Sequence, residues 1–336
     1  MNGSIQFPNL GIHLGHVGNS IHIFGFEITY YGILICVGML TGIWFVILEA
    51  KRQNQDQDKC LKMILCTLLG GILGARLYYV VFSWNLYQGS WMEILRFHSG
   101  GFALYGGILG GALTARLFCR IQKLPFAQMA DIVCMGLLVG QIIGRWGDFF
   151  NRDSFGEYTD GPLAMLLPLA DVNISQITGQ MLNNQRIVDG EVCIQVQPVF
   201  LYEIIWNLAL LLIILGIRRK KKFHGEISLI YLCGYGLGRC WMEIVRTDQL
   251  LIPGTQVGVS WVLSVIAVVA CGAILISKEV RIRRQAKIQT SIGEVENAEF
   301  TEESNGDTSG EDRGEEESAG QQSGEPQGHS QEPEIK

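Results

Sequence analysis

Residues 199–222 read VFLYEIIWNLALLLIILGIRRKKK, and they give the plainest indication of the class of protein. The first part, 199–217, contains a single charged residue, Glu203, and five basic residues follow it at once. An apolar run of about 20 residues is long enough to cross the hydrocarbon of a bilayer as a helix. The stretch therefore predicts a transmembrane helix that ends at a strongly basic loop.

Six other apolar runs of similar length lie on either side of this one. The seven predicted spans are about 28–48, 61–82, 100–121, 127–147, 199–217, 227–245 and 257–277. They indicate an all-α integral membrane protein with about seven transmembrane helices and exclude an ordinary soluble domain. We expect the polytopic membrane domain to cover residues 1–290.

Basic residues are concentrated in every second connection between these spans. One set of connections, with the segment after the last span, carries 17 Lys and Arg residues. The alternate set carries only Arg96, Arg152, Arg186 and Arg246. Because loops rich in Lys and Arg stay in the cytoplasm, the amino terminus is predicted outside and the carboxyl terminus in the cytoplasm. The long connection 148–198 is then external.

The last part of the chain differs sharply from the rest. Residues 294–336 contain 14 of the 32 acidic residues, and their only basic residues are Arg313 and Lys336. Such a segment has too little apolar surface to offset the entropy lost on ordering. We expect residues 291–336 to form a disordered, acidic, cytoplasmic tail.

Glycines recur four residues apart within several spans. The examples are Gly70 with Gly74, Gly106 with Gly110, Gly107 with Gly111, and the series Gly136, Gly140 and Gly144. Small residues at this spacing let helix backbones approach closely in lipid, so they predict tight helix packing.

Ionisable side chains inside the spans are costly in hydrocarbon and therefore need a reason. With a rise of about 1.5 Å per residue, six of them fall in the outer half of the bilayer. They are Arg76, Tyr105, Arg145, Glu203, Arg239 and Glu243. Arg239 and Glu243 are four residues apart and can pair on one helix face. Because arginines outnumber carboxylates here, at least one guanidinium is expected to remain for an anion such as a phosphate.

Less specific explanations stay open for some of these residues. Arg76 or Arg145 could form a structural ion pair or extend to the lipid headgroups. Arg116 and Asp131 lie near the cytoplasmic rim, and we interpret both as interfacial. We expect no metal site, because a third ligand beside His13 and His16 is not evident. Neither a cofactor nor a nucleic-acid partner is expected.

Two other classes of protein remain possible from the residues alone. A transporter or flippase for an anionic lipid or metabolite would also use buried arginines and glycine-rich helices. It would be expected to have inverted repeats with broken helices near the midplane, and no such pairing between the halves is evident. A non-catalytic assembly or receptor protein would not need so many buried charges.

Residues 144–156 read GRWGDFFNRDSFG and resemble the signature of the prolipoprotein diacylglyceryl transferases, GRxGNFxNxExxG. Asp148 stands where Asn is usual, and Asp153 stands where Glu is usual. Further matches cover residues 5–280 in order. They are Tyr30-Tyr31-Gly32, Gly74-Ala75-Arg76-Leu77, the segment from Ser99 to Gly107, Gln197-Pro198, Leu201-Tyr202-Glu203, and Tyr235-Gly236 with Arg239, Glu243 and Arg246.

The resemblance implies the reaction. Such enzymes move the diacylglyceryl group of phosphatidylglycerol onto the thiol of the lipobox cysteine in the signal peptide of a prolipoprotein. The product is a thioether, glycerol-1-phosphate is released, and this is the first step of bacterial lipoprotein maturation. The enzyme would then be a multi-pass protein of the bacterial cytoplasmic (inner) membrane.

The resemblance also implies which residues take part. Arg145 and Arg239 are expected to be catalytic and to bind the phosphate, with Arg246 as a nearby helper or gate. Tyr105 replaces a family His; it either acts as a base with a lowered pKa, or orients the headgroup, or leaves the proton to the departing phosphate. The remaining predicted substrate-binding residues are Tyr31, Arg76, Asp148, Asn151, Gly156, Glu203, Tyr235 and Glu243.

Overall fold

The computed structural model describes residues 3–87, 94, 100–247, 249, 252, 254, 255 and 257–306. The chain divides into two compact units, Met1–Lys278 and Glu279–Lys336. The predicted loop residue Arg96, the start of the matched segment at Ser99, and residues 307–336 of the predicted tail lie outside the described residues.

Seven long helices and one short helix occur in the described residues. They are α1 (Tyr30–Arg52), α2 (Gln57–Phe82), α3 (Leu104–Ile121), α4 (Phe126–Asn151), the short α5 (Gly179–Asn183), α6 (Val199–Ile217), α7 (Glu226–Val245) and α8 (Val259–Gly306). The long helices fall on the seven predicted spans. The backbone stays helical as far as Gly306, beyond the predicted start of the tail at residue 291, since the Glu and Ala residues in between favour a helix.

Five of these helices are long and apolar enough to cross a membrane. They are α1, α2, α4, α6 and the part of α8 from Val259 to Ile292. The chain is therefore an integral membrane protein with several membrane helices. Helices α3 and α7 are long enough but are less apolar and are not among the five, so the count of seven spans stays a prediction.

Strands are present as well, so the prediction of an all-α fold is wrong. The strands are β1 (Ile5–Phe7), β2 (Ile12–Leu14), β3 (Ser20–Ile23), β4 (Phe26–Thr29), β5 (Met165–Pro168), β6 (Arg186–Val188) and β7 (Glu191–Val196). An antiparallel sheet has the order β2-β1-β5-β7-β6, and β3 and β4 form a separate hairpin. Residues far apart in the sequence meet in the larger sheet, where Gln6 pairs with Leu166 and Leu166 with Gln195.

The larger sheet packs against one end of the helices, which we call the sheet end. Its core contains Ile5, Leu167 and Ile194, together with Phe149 from the end of α4 and Phe200 from the start of α6. The rings of Phe149 and Phe200 lie 5.4 Å apart between their centroids. The connection 152–198 is thus a folded layer that rests on the helix ends.

Glycines bring two pairs of helices together backbone to backbone, as their spacing predicts. A Cβ atom at Gly74 of α2 would lie 2.5 Å from the carbonyl oxygen of Gly106 on α3. A Cβ atom at Gly42 of α1 would lie 2.7 Å from the carbonyl oxygen of Gly136 on α4. Since real Cβ contacts are longer than this, only glycine fits at these crossings.

The opposite end of the helices contains a buried carboxylate. Asp131 of α4 is fully buried in the protein, and its interpretation as interfacial, which concerns its depth in the membrane, stays a prediction. Its two oxygens accept hydrogen bonds of 2.8 Å from the backbone N–H groups of Gly225 and Ser228. It therefore caps the amino terminus of α7, where unpaired N–H groups and the helix dipole favour an anion.

Candidate active site

Glu203 lies at the sheet end, one turn into α6, and is almost completely buried. Its Oε1 lies 3.0 Å from Nη1 of Arg239 and 3.2 Å from Nη1 of Arg246. Its Oε2 forms an ion pair with Nε of Arg145. One carboxylate from α6 thus joins an arginine from α4 to two arginines at the end of α7.

Two further carboxylates complete the group. Asp148 Oδ2 accepts a hydrogen bond of 2.8 Å from Nη1 of Arg145, and Glu243 Oε2 lies 3.4 Å from Nε of Arg239. The predicted pair of Arg239 and Glu243 is confirmed. We call Arg145, Arg239 and Arg246 with Asp148, Glu203 and Glu243 the arginine cluster.

The arginine cluster contains three guanidinium groups and three carboxylates. Carboxylates therefore equal arginines in number within the cluster, because Asp148 lies inside the site and not merely at its rim. That a guanidinium remains for an anion stays a prediction. Donors nevertheless remain. Within the described part of the chain, Nη2 of Arg145 and Nη2 of Arg239 make no hydrogen bond to protein, and both side chains are about one-fifth exposed.

Gly156 fixes the position of Arg246 through its backbone. The two residues form an isolated antiparallel bridge, and the N–H group of Gly156 donates a hydrogen bond of 2.9 Å to the carbonyl oxygen of Gln197. A Cβ atom at Gly156 would lie 2.8 Å from the carbonyl oxygen of Val245, so a side chain would push the strand away. The backbone of the signature motif therefore holds the end of α7, and Arg246 also donates to the hydroxyl of Ser154 at 3.3 Å.

Arg76 has different contacts from the other predicted arginines. It is buried on α2, where Nε donates to the carbonyl oxygen of Ile94 at 3.0 Å and Nη1 to that of Gly101 at 3.1 Å. Its guanidinium carbon also lies 5.4 Å from the ring centroid of Tyr87. These contacts hold the connection between α2 and α3 and favour the structural explanation of Arg76.

Tyr105 also has a partner outside the arginine cluster. Its hydroxyl lies 3.2 Å from Oγ of Ser260, in the first turn of α8. Gly258, just before α8, packs against Glu243, where a Cβ atom would lie 3.0 Å from Oε1. Tyr105 thus ties α3 to the segment that borders the arginine cluster.

The other predicted residues lie on α4 or on the neighbouring helices α1 and α7. The ring of Tyr31 packs on Gly147, where a Cβ atom would lie 2.7 Å from it. Tyr235 interacts electrostatically with Arg145, and its ring stacks on that of Tyr231 with 5.8 Å between centroids. Asn151, the last residue of α4, is half-buried.

A cavity of about 430 Å³ extends from the arginine cluster between α1, α2 and α4. Arg145, Asp148 and Tyr31 line one end, and apolar side chains and glycines line most of the rest. The arrangement offers guanidinium groups at the mouth of an apolar channel. A ligand with an anionic head and a hydrocarbon chain matches both parts.

Three polar residues of this region were not found from the sequence. Ser154 occupies a variable position of the signature, and Ser260 lies in a different span from its partner Tyr105, so neither had a local signal. Gln141 did have a local signal. It lines the cavity and donates a hydrogen bond of 3.0 Å to the hydroxyl of Tyr231. A carboxamide in the middle of an apolar span is unusual enough to mark a polar contact.

Comparisons with known proteins agree with the geometry. A family model described as prolipoprotein diacylglyceryl transferase matches residues 19–277. A phosphatidylglycerol–prolipoprotein diacylglyceryl transferase of Clostridioides difficile (strain 630) is 35% identical over 230 residues, which cover 68% of this chain and 83% of that protein.

Two other relatives have the same name. The one from Listeria monocytogenes serotype 4a (strain HCC23) is 34% identical over 276 residues, covering 82% of this chain and 95% of that protein. The one from Thermosynechococcus vestitus is 32% identical over 270 residues, covering 80% and 91%. The matched region contains the whole arginine cluster. This chain therefore belongs to the prolipoprotein diacylglyceryl transferase family.

Proposed function

We propose that this protein transfers the diacylglyceryl group of phosphatidylglycerol to the thiol of a lipobox cysteine in a prolipoprotein. The observation that carries the proposal is the arginine cluster, which lies at the mouth of an apolar cavity in a membrane protein of this family. The donor lipid has an anionic phosphate and two hydrocarbon chains, so its chemistry fits both parts of the site.

Arg145 and Arg239 bind the phosphate. During the reaction a carbon–oxygen bond of the lipid glycerol breaks, a carbon–sulfur bond forms, and glycerol-1-phosphate leaves. Negative charge grows on the phosphate oxygens as that bond breaks, and guanidinium groups already in place stabilise it strongly where water is scarce. The Nη2 groups of both arginines supply donors that make no hydrogen bond within the described part of the chain.

The substrate's cysteine is the nucleophile, and it reacts as a thiolate. Positive groups beside it favour ionisation of the thiol, and the departing phosphate accepts the proton. Tyr105 orients the segment that borders the arginine cluster through its hydrogen bond to Ser260 and does not act as the base. An ordinary phenol has a pKa of about 10 and is a poor base at neutral pH.

The other predicted residues position the arginines or contact the glycerol. Glu203, Glu243 and Asp148 fix the directions of the guanidinium groups by ion pairs. Gly156 fixes the backbone of Arg246. The side chains of Tyr31, Asn151 and Tyr235 are close to Arg145 or to the end of its helix and contact the headgroup.

Substitution of the two phosphate-binding arginines tests the site. Purified Arg145→Ala and Arg239→Ala should each lose about a hundredfold or more of thioether formation on a lipobox peptide. Arg186→Ala is the matched control, because Arg186 is an exposed residue of β6 and pairs only loosely with Asp160 at 3.5 Å. Near-normal turnover in either test variant would remove that arginine from the reaction.

The products separate transfer from transport. Phosphatidylglycerol with labelled glycerol should release glycerol-1-phosphate only when the lipobox peptide is present. Movement of intact lipid across the bilayer without peptide would instead support a flippase.

We also propose that all seven long helices cross the cytoplasmic membrane of a bacterium, with the sheet end outside. The support is the charge of the opposite end, which contains Lys51, Arg52, Lys123 and the run 218–222. Alkaline phosphatase, which is active only outside the cytoplasm, tests this when fused after residue 190 or after residue 123. Activity in the second fusion and not the first would reverse the orientation.

A further inference from the structure

The cavity is a groove along the contact between α1 and α4. Each helix presents one face to it, with residues spaced by three or four as a helical stripe requires. From α1 the lining residues are Tyr31, Ile35, Gly38, Met39, Gly42, Ile43 and Val46, and α4 contributes a matching stripe from Asp148 down to Val133. Two residues of α2, Ile64 and Leu68, form a side wall in the half remote from the arginine cluster.

The groove is long enough for a whole acyl chain. From Tyr31 to Val46 the helix advances about 22 Å, at about 1.5 Å per residue. The hydrocarbon of one leaflet is about 15 Å deep, half of the about 30 Å of a bilayer. A chain that enters beside Arg145 therefore stays inside the groove for its full length.

The lining of the groove is polar at one end only. Arg145, Asp148 and the Tyr31 ring lie at the sheet end, with Gln141 further along the groove. Beyond Gln141 the groove is lined by glycine and aliphatic side chains as far as Val46 and Val133. This order matches one occupant, a lipid whose phosphate is held by Arg145 and whose chain runs away from it.

The width of the groove is fixed by glycine on one side and is adjustable on the other. Gly38 and Gly42 face Gly140 and Gly136 at the base of the groove, where added side chains would force the helices apart. The α2 wall has no such restriction, because Leu68 is partly exposed and Ile64 is half-buried. The size of these two side chains therefore sets how much room the end of an acyl chain has.

We propose that this groove holds one acyl chain of the donor phosphatidylglycerol and that Ile64 and Leu68 determine the chain lengths it accepts. The inference rests on the proposed transfer reaction and adds to it a specificity-determining wall. Ile64 and Leu68 narrow the half of the groove remote from Arg145, and only a chain long enough to enter that half meets them. Chain length therefore controls how often the phosphate sits at Arg145 with the reacting bond correctly placed.

Competition between two lipids tests the proposal. Equal amounts of dilauroyl- and distearoyl-phosphatidylglycerol are offered with a lipobox peptide in mixed micelles, and mass spectrometry gives the ratio of the two thioether products. Leu68→Trp should lower the ratio of long-chain to short-chain product by about tenfold or more. Leu69→Trp is the matched control: Leu69 is the next residue of α2, is exposed and does not line the groove.

A second pair of variants tests the opposite change. Ile64→Ala enlarges the groove and should raise the same ratio severalfold, whereas Leu65→Ala, on the exposed face of α2, should leave it unchanged. If Leu68→Trp fails to fold, the product ratios of Ile64→Ala and Leu65→Ala test the proposal on their own.

Equal product ratios in wild type and in the folded groove variants would overturn the inference while the transfer reaction stands. Absence of thioether from wild type with either lipid would instead refute the proposed function itself.

Discussion

Glu203 orients the arginine cluster, because among the described residues it alone contacts Arg145, Arg239 and Arg246 together. Each arginine is long and flexible, and without this carboxylate the three side chains would repel one another. In the proposed reaction, their fixed directions allow two guanidinium groups to meet the same phosphate. The burial of Glu203 strengthens these ion pairs, since little water competes for them.

Glu203→Gln should therefore damage both stability and activity. The amide keeps the shape but removes the charge that balances three guanidinium groups, and breaking a buried ion pair costs about 3–5 kcal/mol. We expect a lower free energy of unfolding in detergent by about 3 kcal/mol and about a hundredfold slower transfer, because displaced arginines lose their alignment.

Glu191→Gln serves as the control, because Glu191 is an exposed residue at the start of β7. Wild-type stability and turnover in Glu203→Gln would mean that the arginines hold their positions without the central carboxylate.

At the residue scale, the sequence predicted that these ionisable residues lie at a similar depth in the membrane. It did not predict which of them contact one another. The pair of Arg239 and Glu243 was predictable, because four residues along one helix fix both height and direction. Height alone placed Arg76 and Tyr105 in the same layer, yet their side chains bind Ile94 and Ser260. The direction in which a helix faces depends on its neighbours, and that information is not in the spacing of one span.

Gly74 and Gly71 show how strictly the helices α2 and α3 are packed. A Cβ atom at Gly74 would lie 2.5 Å from the carbonyl oxygen of Gly106, whereas one at Gly71 would lie 3.4 Å from that of Gly107. Gly74→Ala should thus lower the free energy of unfolding by about 1–3 kcal/mol through overpacking. Gly71→Ala should be neutral or stabilise by up to about 1 kcal/mol, since Ala favours a helix.

Denaturant titration of the two variants in detergent measures this difference. Equal stability would show that the backbones of α2 and α3 separate freely.

Asp131 should contribute more than an ordinary helix cap, because it is buried and bonds two backbone N–H groups. Asp131→Ala leaves both donors without a partner and should cost about 2–4 kcal/mol of unfolding free energy. Asp56→Ala removes an exposed cap of α2 and should cost about 1 kcal/mol. The same titration compares them, and equal losses would show that burial of Asp131 adds nothing.

At the scale of elements, the helices were predictable and the strands were not. A single apolar run that crosses a membrane forms an α-helix, because every backbone hydrogen bond must be made within the segment. The strands are three to six residues long. They pair residues as distant as Gln6 and Leu166, so their alternation is too short to detect and their partners are not local.

For the molecule as a whole, the part that matches the family model precedes the acidic tail. The family model ends at residue 277, and the arginine cluster ends at Arg246. A chain that ends at residue 292 should keep transfer activity and change its unfolding free energy by less than about 0.5 kcal/mol.

A chain that ends at residue 258 is the contrasting case. It lacks Ser260, the partner of Tyr105, and all of α8, so it should lose transfer. If the chain that ends at residue 292 is also inactive, residues after 292 take part in the reaction.

The arginine cluster has a consequence for how firmly the enzyme holds its donor lipid. Its three positive and three negative side chains sum to zero formal charge. An arriving phosphodiester therefore gains little from net charge and relies on N–H donors such as Nη2 of Arg145 and Nη2 of Arg239, so the resting complex is weak. A weak resting complex is no handicap for an enzyme immersed in its own substrate, where bulk lipid keeps the site filled. The guanidinium groups interact more strongly with the departing phosphate, which gains a second negative charge, than with the bound lipid. This difference lowers the barrier of the reaction.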